Sequence, residues 1–281
     1  MSRVEEILAD VDQIPPFPRV ARRVVELFED PDVSADHLAR VIQYDQAITA
    51  NIMKMCNAAY FGSSRKIFSI REAVVILGHN TLKDLIMAGA SVGYYEGAAG
   101  KGYKLEEGEL WNHSVAAGLM AKLLSRYADG IDQGSAFTTG LLHDIGKRFM
   151  SAFVSEGFER IVEIVERKNC SFVRAEQEVI GINHAELGAI ILEKWEFPVS
   201  QIEAVRNHHN PSAQTGAPLT ALIALSDNLV ISTGSGVGLN APEAEKQPEY
   251  LKELGISQEE IRISMSDLIL EMDKARELVD I

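Results

Sequence analysis

His143 and Asp144 stand side by side in the apolar run Thr139-Gly140-Leu141-Leu142-His143-Asp144-Ile145-Gly146-Lys147. Burying an imidazole and a carboxylate is costly unless something pairs with them. A divalent cation pairs with both, because neutral imidazole nitrogen and carboxylate oxygen are ready ligands. More donors of the same kinds lie in similar settings. His113 lies in Trp111-Asn112-His113-Ser114, His184 in Asn183-His184-Ala185-Glu186-Leu187-Gly188, and His208-His209 between Asn207 and Asn210. Asp227 stands in Ala224-Leu225-Ser226-Asp227-Asn228. Two cations close together would polarise water into a nucleophile and clamp a phosphoryl group; a carboxylate can bridge them, and neighbouring histidines can serve both. A mixed imidazole–carboxylate set suits iron or manganese before zinc.

No single member of this set carries the reading. A lone histidine in a helix is ordinarily a satisfied core or surface residue. His37 and His79, on exposed-looking turns, are read that way. Taken alone, His208-His209 is a helix C-terminus favoured by the dipole, and Asp227 an internal cap. The order and spacing of the whole set point to a metal centre.

Helices must position these donors. Val20, Val24, Leu27 and Phe28 have amphipathic spacing between the Pro15-Pro16-Phe17-Pro18 turn and Asp30-Pro31. Ser34 is an N-cap for a helix carrying Leu38, Val41 and Ile42. Further helices are expected over 46–58, 70–77 and 82–92, the last two separated by Gly78-His79-Asn80. The glycine-rich stretch 93–102 reads as a connection, without the spacing of a phosphate-cradling loop. Helices then follow over 106–127, 134–153 (containing His143-Asp144), 157–167, 171–180, 184–195, 200–208, 217–232 and 257–278. Small residues Ala116, Ala117 and Gly118, one turn beyond His113, would let a neighbouring helix approach closely. No alternating hairpin pattern occurs, so the fold class is all-α, with ligands drawn from several helices of a bundle.

At 281 residues the chain can bury a sizeable core as one large domain or two small ones. No apolar run is long enough to span a bilayer and no signal peptide opens the sequence, which makes a cytoplasmic protein the expectation. Cys56 and Cys170 are far apart and read as reduced thiols. The net charge of −14 disfavours nucleic acid and membrane as partners. Residues 241–281 contribute eleven acidic and five basic side chains, so much of the imbalance is terminal.

A histidine, a His-Asp pair thirty residues later and a distant aspartate in a late helix resemble the HD superfamily of metal-dependent phosphohydrolases. With His184 and His208-His209 the set is similar to the HD-GYP branch. That resemblance implies one metal held by His113, His143, Asp144 and Asp227, and a second by Asp144, His184, His208 and His209. It implies that Lys147 contacts substrate phosphate or bound water, and it places Glu109 where some members have an additional ligand. The Gly-Tyr-Pro segment of that branch is not present; His208-His209 runs into Asn210-Pro211-Ser212. Ile14-Pro15-Pro16-Phe17-Pro18, Asp45-Gln46-Ala47, Asn57-Ala58-Ala59-Tyr60-Phe61-Gly62 and Ile70-Arg71-Glu72-Ala73-Val74-Val75-Ile76-Leu77-Gly78 resemble the first half of HDOD domains. The HDOD resemblance runs from about residue 10 to about residue 232. Its first-half features are read as packing, with Tyr60 and Phe61 filling core.

The resemblance implies a helical subdomain over 10–100, an HD-like metal-binding core over 105–235 and an acidic helical extension over 240–281. It implies a bacterial signalling or regulatory module carrying a di-metal site, whose partner is a signalling protein or a small phosphate-containing ligand. The alternative is a metal-dependent phosphohydrolase acting on a nucleotide or phosphate ester, with Asp144 and Lys147 as its catalytic residues.

Overall fold

The computed structural model describes residues 3–27, 30, 33–57, 67–95, 101–210, 217–234 and 247–279. Among these residues every regular element is helical. None of the helices is long and apolar enough to cross a membrane. Two compact units are present: residues 1–14 with 94–268, and residues 15–93 with 269–281.

The second unit contains α2 (Arg19–Leu27), α3 (Ala35–Ile42), α4 (Gln46–Asn57) and most of α5 (Ile70–Tyr95). The Ser34 side chain accepts a hydrogen bond from the His37 N–H, and Asp45 accepts from the Ile48 N–H, so polar caps start α3 and α4. Val24, Leu38, Ile42, Ile52 and Ile86 are fully buried. The Asn51 amide donates to the Gly89 carbonyl at 3.0 Å, tying α4 to α5. The two helices expected on either side of Gly78 are both present within α5, which is interrupted at Gly78 (φ 76°, ψ 169°). Tyr60, Phe61 and Gly62 lie outside the described residues.

The first unit holds all the candidate donors. It comprises α1 (Arg3–Gln13), a 3-10 turn (Lys101–Tyr103), α6 (Glu109–Leu124), α7 (Gln133–Leu142), α8 (Ile145–Lys168), α9 (Phe172–Ile180), α10 (His184–Lys194), α11 (Val199–Asn207), α12 (Pro218–Ser232), α13 (Gln247–Leu254) and the start of α14 (Gln258–Val279). At its centre α6 and α12 pack together, with α7 against both. Both central helices are enclosed almost all round: every residue from Thr220 to Val230 of α12 is buried. Side-chain caps start α7 and α10, two of the helices that position the donors. Asp132 accepts from the Ser135 N–H and Asn183 from the Glu186 N–H, which makes His184 the first residue of α10. The expected close approach beside His113 is realised between α6 and α7, where a Cβ on Gly140 would lie 2.8 Å from the Ala117 carbonyl oxygen.

The helix expected over 134–153 is in fact divided. α7 ends at Leu142 and α8 begins at Ile145; His143 and Asp144 form the break, with Asp144 at φ −101° and ψ 11°. Adjacent residues on a continuous helix point about 100° apart, so His143 and Asp144 could not both face one centre. The break lets them. α8 then continues to Lys168 and absorbs the helix expected over 157–167. Within the acidic C-terminal region, α13 packs on α12, and Ile261 and Leu268 of α14 are buried while Ile269 is exposed. Cys56 and Cys170 are free and buried.

Candidate metal centre

The structure brings all seven donors together inside the first unit, from the ends or middles of α6, α7, α10, α11 and α12. His113 comes from the middle of α6 and Asp227 from the middle of α12. His143-Asp144 occupies the break after α7, His184 the first turn of α10, and His208-His209 the end of α11. Each donor except His209 is buried, at 3% exposure or less.

Asp144 is the hinge of the arrangement, because its two oxygens face different partners. Oδ2 lies 3.5 Å from His113 Nε2 and 3.4 Å from His143 Nε2. Oδ1 lies 3.4 Å from His184 Nε2 and 3.8 Å from His208 Nε2. Asp227 Oδ1 closes the first group, 3.1 Å from His113 Nε2 and 3.5 Å from His143 Nε2. His209 closes the second, with its Nε2 2.8 Å from His184 Nε2. Donor atoms of Asp144, His184, His208 and His209 all lie within 4.8 Å of one another, as do those of His113, His143 and Asp144.

The far side of each of three rings is occupied. The Nδ1 of His143 is 2.7 Å from the Gly140 carbonyl, and that of His208 is 2.6 Å from the Val205 carbonyl. The Nδ1 of His184 is 2.6 Å from Glu176 Oε2. Those acceptors assign the proton to Nδ1 and leave each Nε2 lone pair facing the centre, the tautomer a metal ligand needs. His143 Nε2, Asp144 Oδ1 and His208 Nε2 are buried and form no hydrogen bond among the described residues. Orphaned atoms of this kind are rare in a packed core, and converging lone pairs are what a cation satisfies.

Charge points the same way. Asp144, Asp227 and Glu176 are three enclosed carboxylates, and Lys147 (3% exposed) places one ammonium among them, 2.6 Å from Asp144 Oδ2. Burial opposes ionisation of Asp144 and Asp227, yet the histidines around both, and Lys147 beside Asp144, hold the two carboxyls well below the usual carboxylate range. Burial lowers the pKa of His184 against the pull of Glu176. Burial also lowers that of His208, well below the ordinary value, with His209 and His143 adding to the effect. His143 differs: burial disfavours its charge, but Asp144 and Asp227 outweigh it and raise the pKa. Ionised carboxylates with neutral imidazoles are the forms that bind divalent metal. The donors therefore fit one.

Glu109 is not part of the cluster. It is exposed, and its carboxylate accepts the Glu106 N–H at the start of α6. His37 and His79 are likewise exposed. Two contributors escaped the sequence reading. Glu176 is fully buried and binds both the ring and the backbone N–H of His184, and Tyr103 donates to Glu176 Oε1 at 2.6 Å. The signal for Glu176 was its register: it lies on the same face of α9 as the buried Phe172, Ala175 and Ile180.

An all-helical core in which a His-Asp pair at a helix break meets histidines and an aspartate from neighbouring helices defines a helical protein with a candidate metal centre. The HDOD domain family matches residues 14–211, and the chain belongs to that family. The match spans His113 through His209 and stops before Asp227. An uncharacterised protein of Treponema pallidum is 29% identical over 222 residues, which make up 77% of this chain and 42% of that protein, so the chain spans less than half the length of that relative. Among solved structures, an HDOD domain protein of unknown function from Geobacter sulfurreducens is similar over 99% of this chain and 96% of its own, at 26% identity and a TM-score of 0.76. A protein from Shewanella amazonensis, named as a candidate metal-dependent phosphohydrolase, is similar over 98% and 99% at 19% identity and a TM-score of 0.64. It shares the fold.

Proposed function

We propose that this HDOD protein is a bacterial, cytoplasmic signal-transduction module whose core holds two divalent transition-metal ions. His113, His143, Asp144 and Asp227 hold the first, and Asp144, His184, His208 and His209 the second. The observation that carries this reading is the division of Asp144, whose Oδ2 faces His113 and His143 while Oδ1 faces His184 and His208. When bound, such ions supply Lewis acidity toward water and phosphoryl oxygen. The protein's own part is orientation: the Gly140 and Val205 carbonyls and Glu176 fix three imidazoles, and burial keeps competing water from the donors. Donors this enclosed favour a regulatory centre over one open to a bulky diester. The partner is a signalling protein or a small phosphate-containing ligand. The test is metal analysis of protein from iron- or manganese-supplemented culture. About two equivalents are expected, falling to background in Asp144→Ala; wild-type protein holding under one equivalent sinks the reading.

A specific observation favours a second reading, a metal-dependent phosphohydrolase acting on a nucleotide or phosphate ester. Lys147 keeps an ammonium beside the shared carboxylate, a group that a purely structural metal centre does not need. In this reading Lys147 binds substrate phosphate and Asp144 holds both ions in place. Nucleotides, phosphomonoesters and phosphodiesters assayed with Mn²⁺ and Fe²⁺ would then show turnover that Asp144→Ala abolishes. Absence of metal-dependent turnover across that panel leaves the regulatory reading alone.

A further inference from the structure

The two groups of donors differ in charge. Around His113 and His143 stand two carboxylates, Asp144 and Asp227. The group of Asp144, His184, His208 and His209 has only the shared Asp144. Beyond His184, however, lies Glu176, fully buried on α9. Its Oε2 takes the Nδ1 of His184 at 2.6 Å and the His184 backbone N–H at 3.2 Å, while Oε1 accepts the Tyr103 hydroxyl at 2.6 Å. The corresponding nitrogens of His143 and His208 meet neutral backbone carbonyls. His184 alone among these three leans on a full negative charge. A carboxylate in that position makes an imidazole a stronger donor and fixes its ring.

A charge on a fully enclosed glutamate is costly and must be held by its hydrogen bonds. Tyr103 supplies one of them from the 3-10 turn, and that turn is itself held against α8. The Gly102 N–H donates to the Ser151 hydroxyl at 2.8 Å, and a Cβ on Gly102 would lie 1.8 Å from the Ser151 carbonyl oxygen. Tyr103 is thereby fixed over Glu176, with its ring perpendicular to that of His184 at 6.3 Å between centroids.

We propose that Glu176, held by Tyr103, is the positioning residue of the second metal site, supplying through His184 the negative charge that Asp227 supplies to the first. This inference rests on the two-metal reading above. Glu176 matters for one ion and not for the other.

The experiment loads full-length protein with Mn²⁺ and follows metal content together with electron paramagnetic resonance. Wild-type protein should hold about two equivalents as a spin-coupled pair. Glu176→Gln keeps the shape and removes the charge; its affinity for one equivalent should fall about tenfold or more, leaving the six-line signal of an isolated ion. Tyr103→Phe should weaken the same equivalent by a smaller factor, and it preserves the test if Glu176→Gln fails to fold. A merely structural role would lower both affinities together or neither. Variants that retain the coupled pair with wild-type affinity, or lose both ions equally, overturn the proposal. Wild-type protein that binds fewer than two ions overturns instead the two-metal reading beneath it.

Discussion

Lys147 Nζ lies 2.6 Å from Asp144 Oδ2, and both side chains are buried. The ammonium is the built-in counter-charge for a carboxylate whose oxygens also face the imidazoles of His113, His143, His184 and His208. Removing one partner of a buried pair costs about 3 kcal/mol because the other charge is left uncompensated. A bound cation would replace much of that compensation. Lys147→Met should therefore destabilise the chelator-treated protein by about 3 kcal/mol and the metal-loaded protein by far less. Urea unfolding with and without EDTA measures both, and equal losses in the two states would show that no cation shares Asp144.

Gly146 follows Asp144 by two residues and meets the first turn of α10 backbone to backbone. A Cβ at this position would lie 2.0 Å from the His184 carbonyl oxygen and 2.8 Å from the Gly188 nitrogen. Neither neighbour is a side chain that can swing aside, so Gly146→Ala must push α8 and α10 apart and carry His184 away from Asp144. Overpacking of a core costs about 1–3 kcal/mol, occasionally more, and the upper end is expected here. The ion held through His184 should be lost first. A Gly146→Ala protein with wild-type melting temperature and metal content would contradict this account of the close approach.

The donors were legible in sequence because charged and imidazole groups stand out in apolar helices such as α6 and α12. Where the chain turns was less legible. His143-Asp144 is flanked on both sides by buried residues, from Ala136 to Leu142 and then Ile145 to Lys147, so no periodic pattern marks the break. The amphipathic helices α2 and α3 show the opposite case, since their exposed faces reveal their ends. Glu176 was hidden for another reason. It sits beside Gln177 and Glu178 and reads as one more surface acid until its register is set against Phe172 and Ile180. Tyr103 directly follows the glycine-rich stretch 93–102, of which 96–100 fall outside the described residues, and nothing local signals that its hydroxyl reaches α9.

The histidines of the cluster make its stability depend on pH in a direction that can be derived. Burial holds His184 and His208 below the unfolded imidazole value of about 6.5. As pH falls through that value the unfolded chain takes up protons that these folded residues refuse, so stability is lost. Asp144 and Asp227, held below the ordinary carboxylate range, stabilise above the unfolded carboxylate value and add a further loss once pH falls beneath it. His143 opposes this trend. Its pKa is raised, so its contribution is complete below about 6.5 and fades as pH rises through the folded value. Between pH 7 and pH 5 the histidines act, two against one, which leaves a net decline toward acid, and the aspartates extend it below the carboxylate range. The urea midpoint of EDTA-treated protein should thus fall between pH 7 and pH 5. His208→Gln removes the group whose burial opposes protonation most strongly, and should flatten that decline. A decline of undiminished steepness in His208→Gln would place its origin outside the cluster.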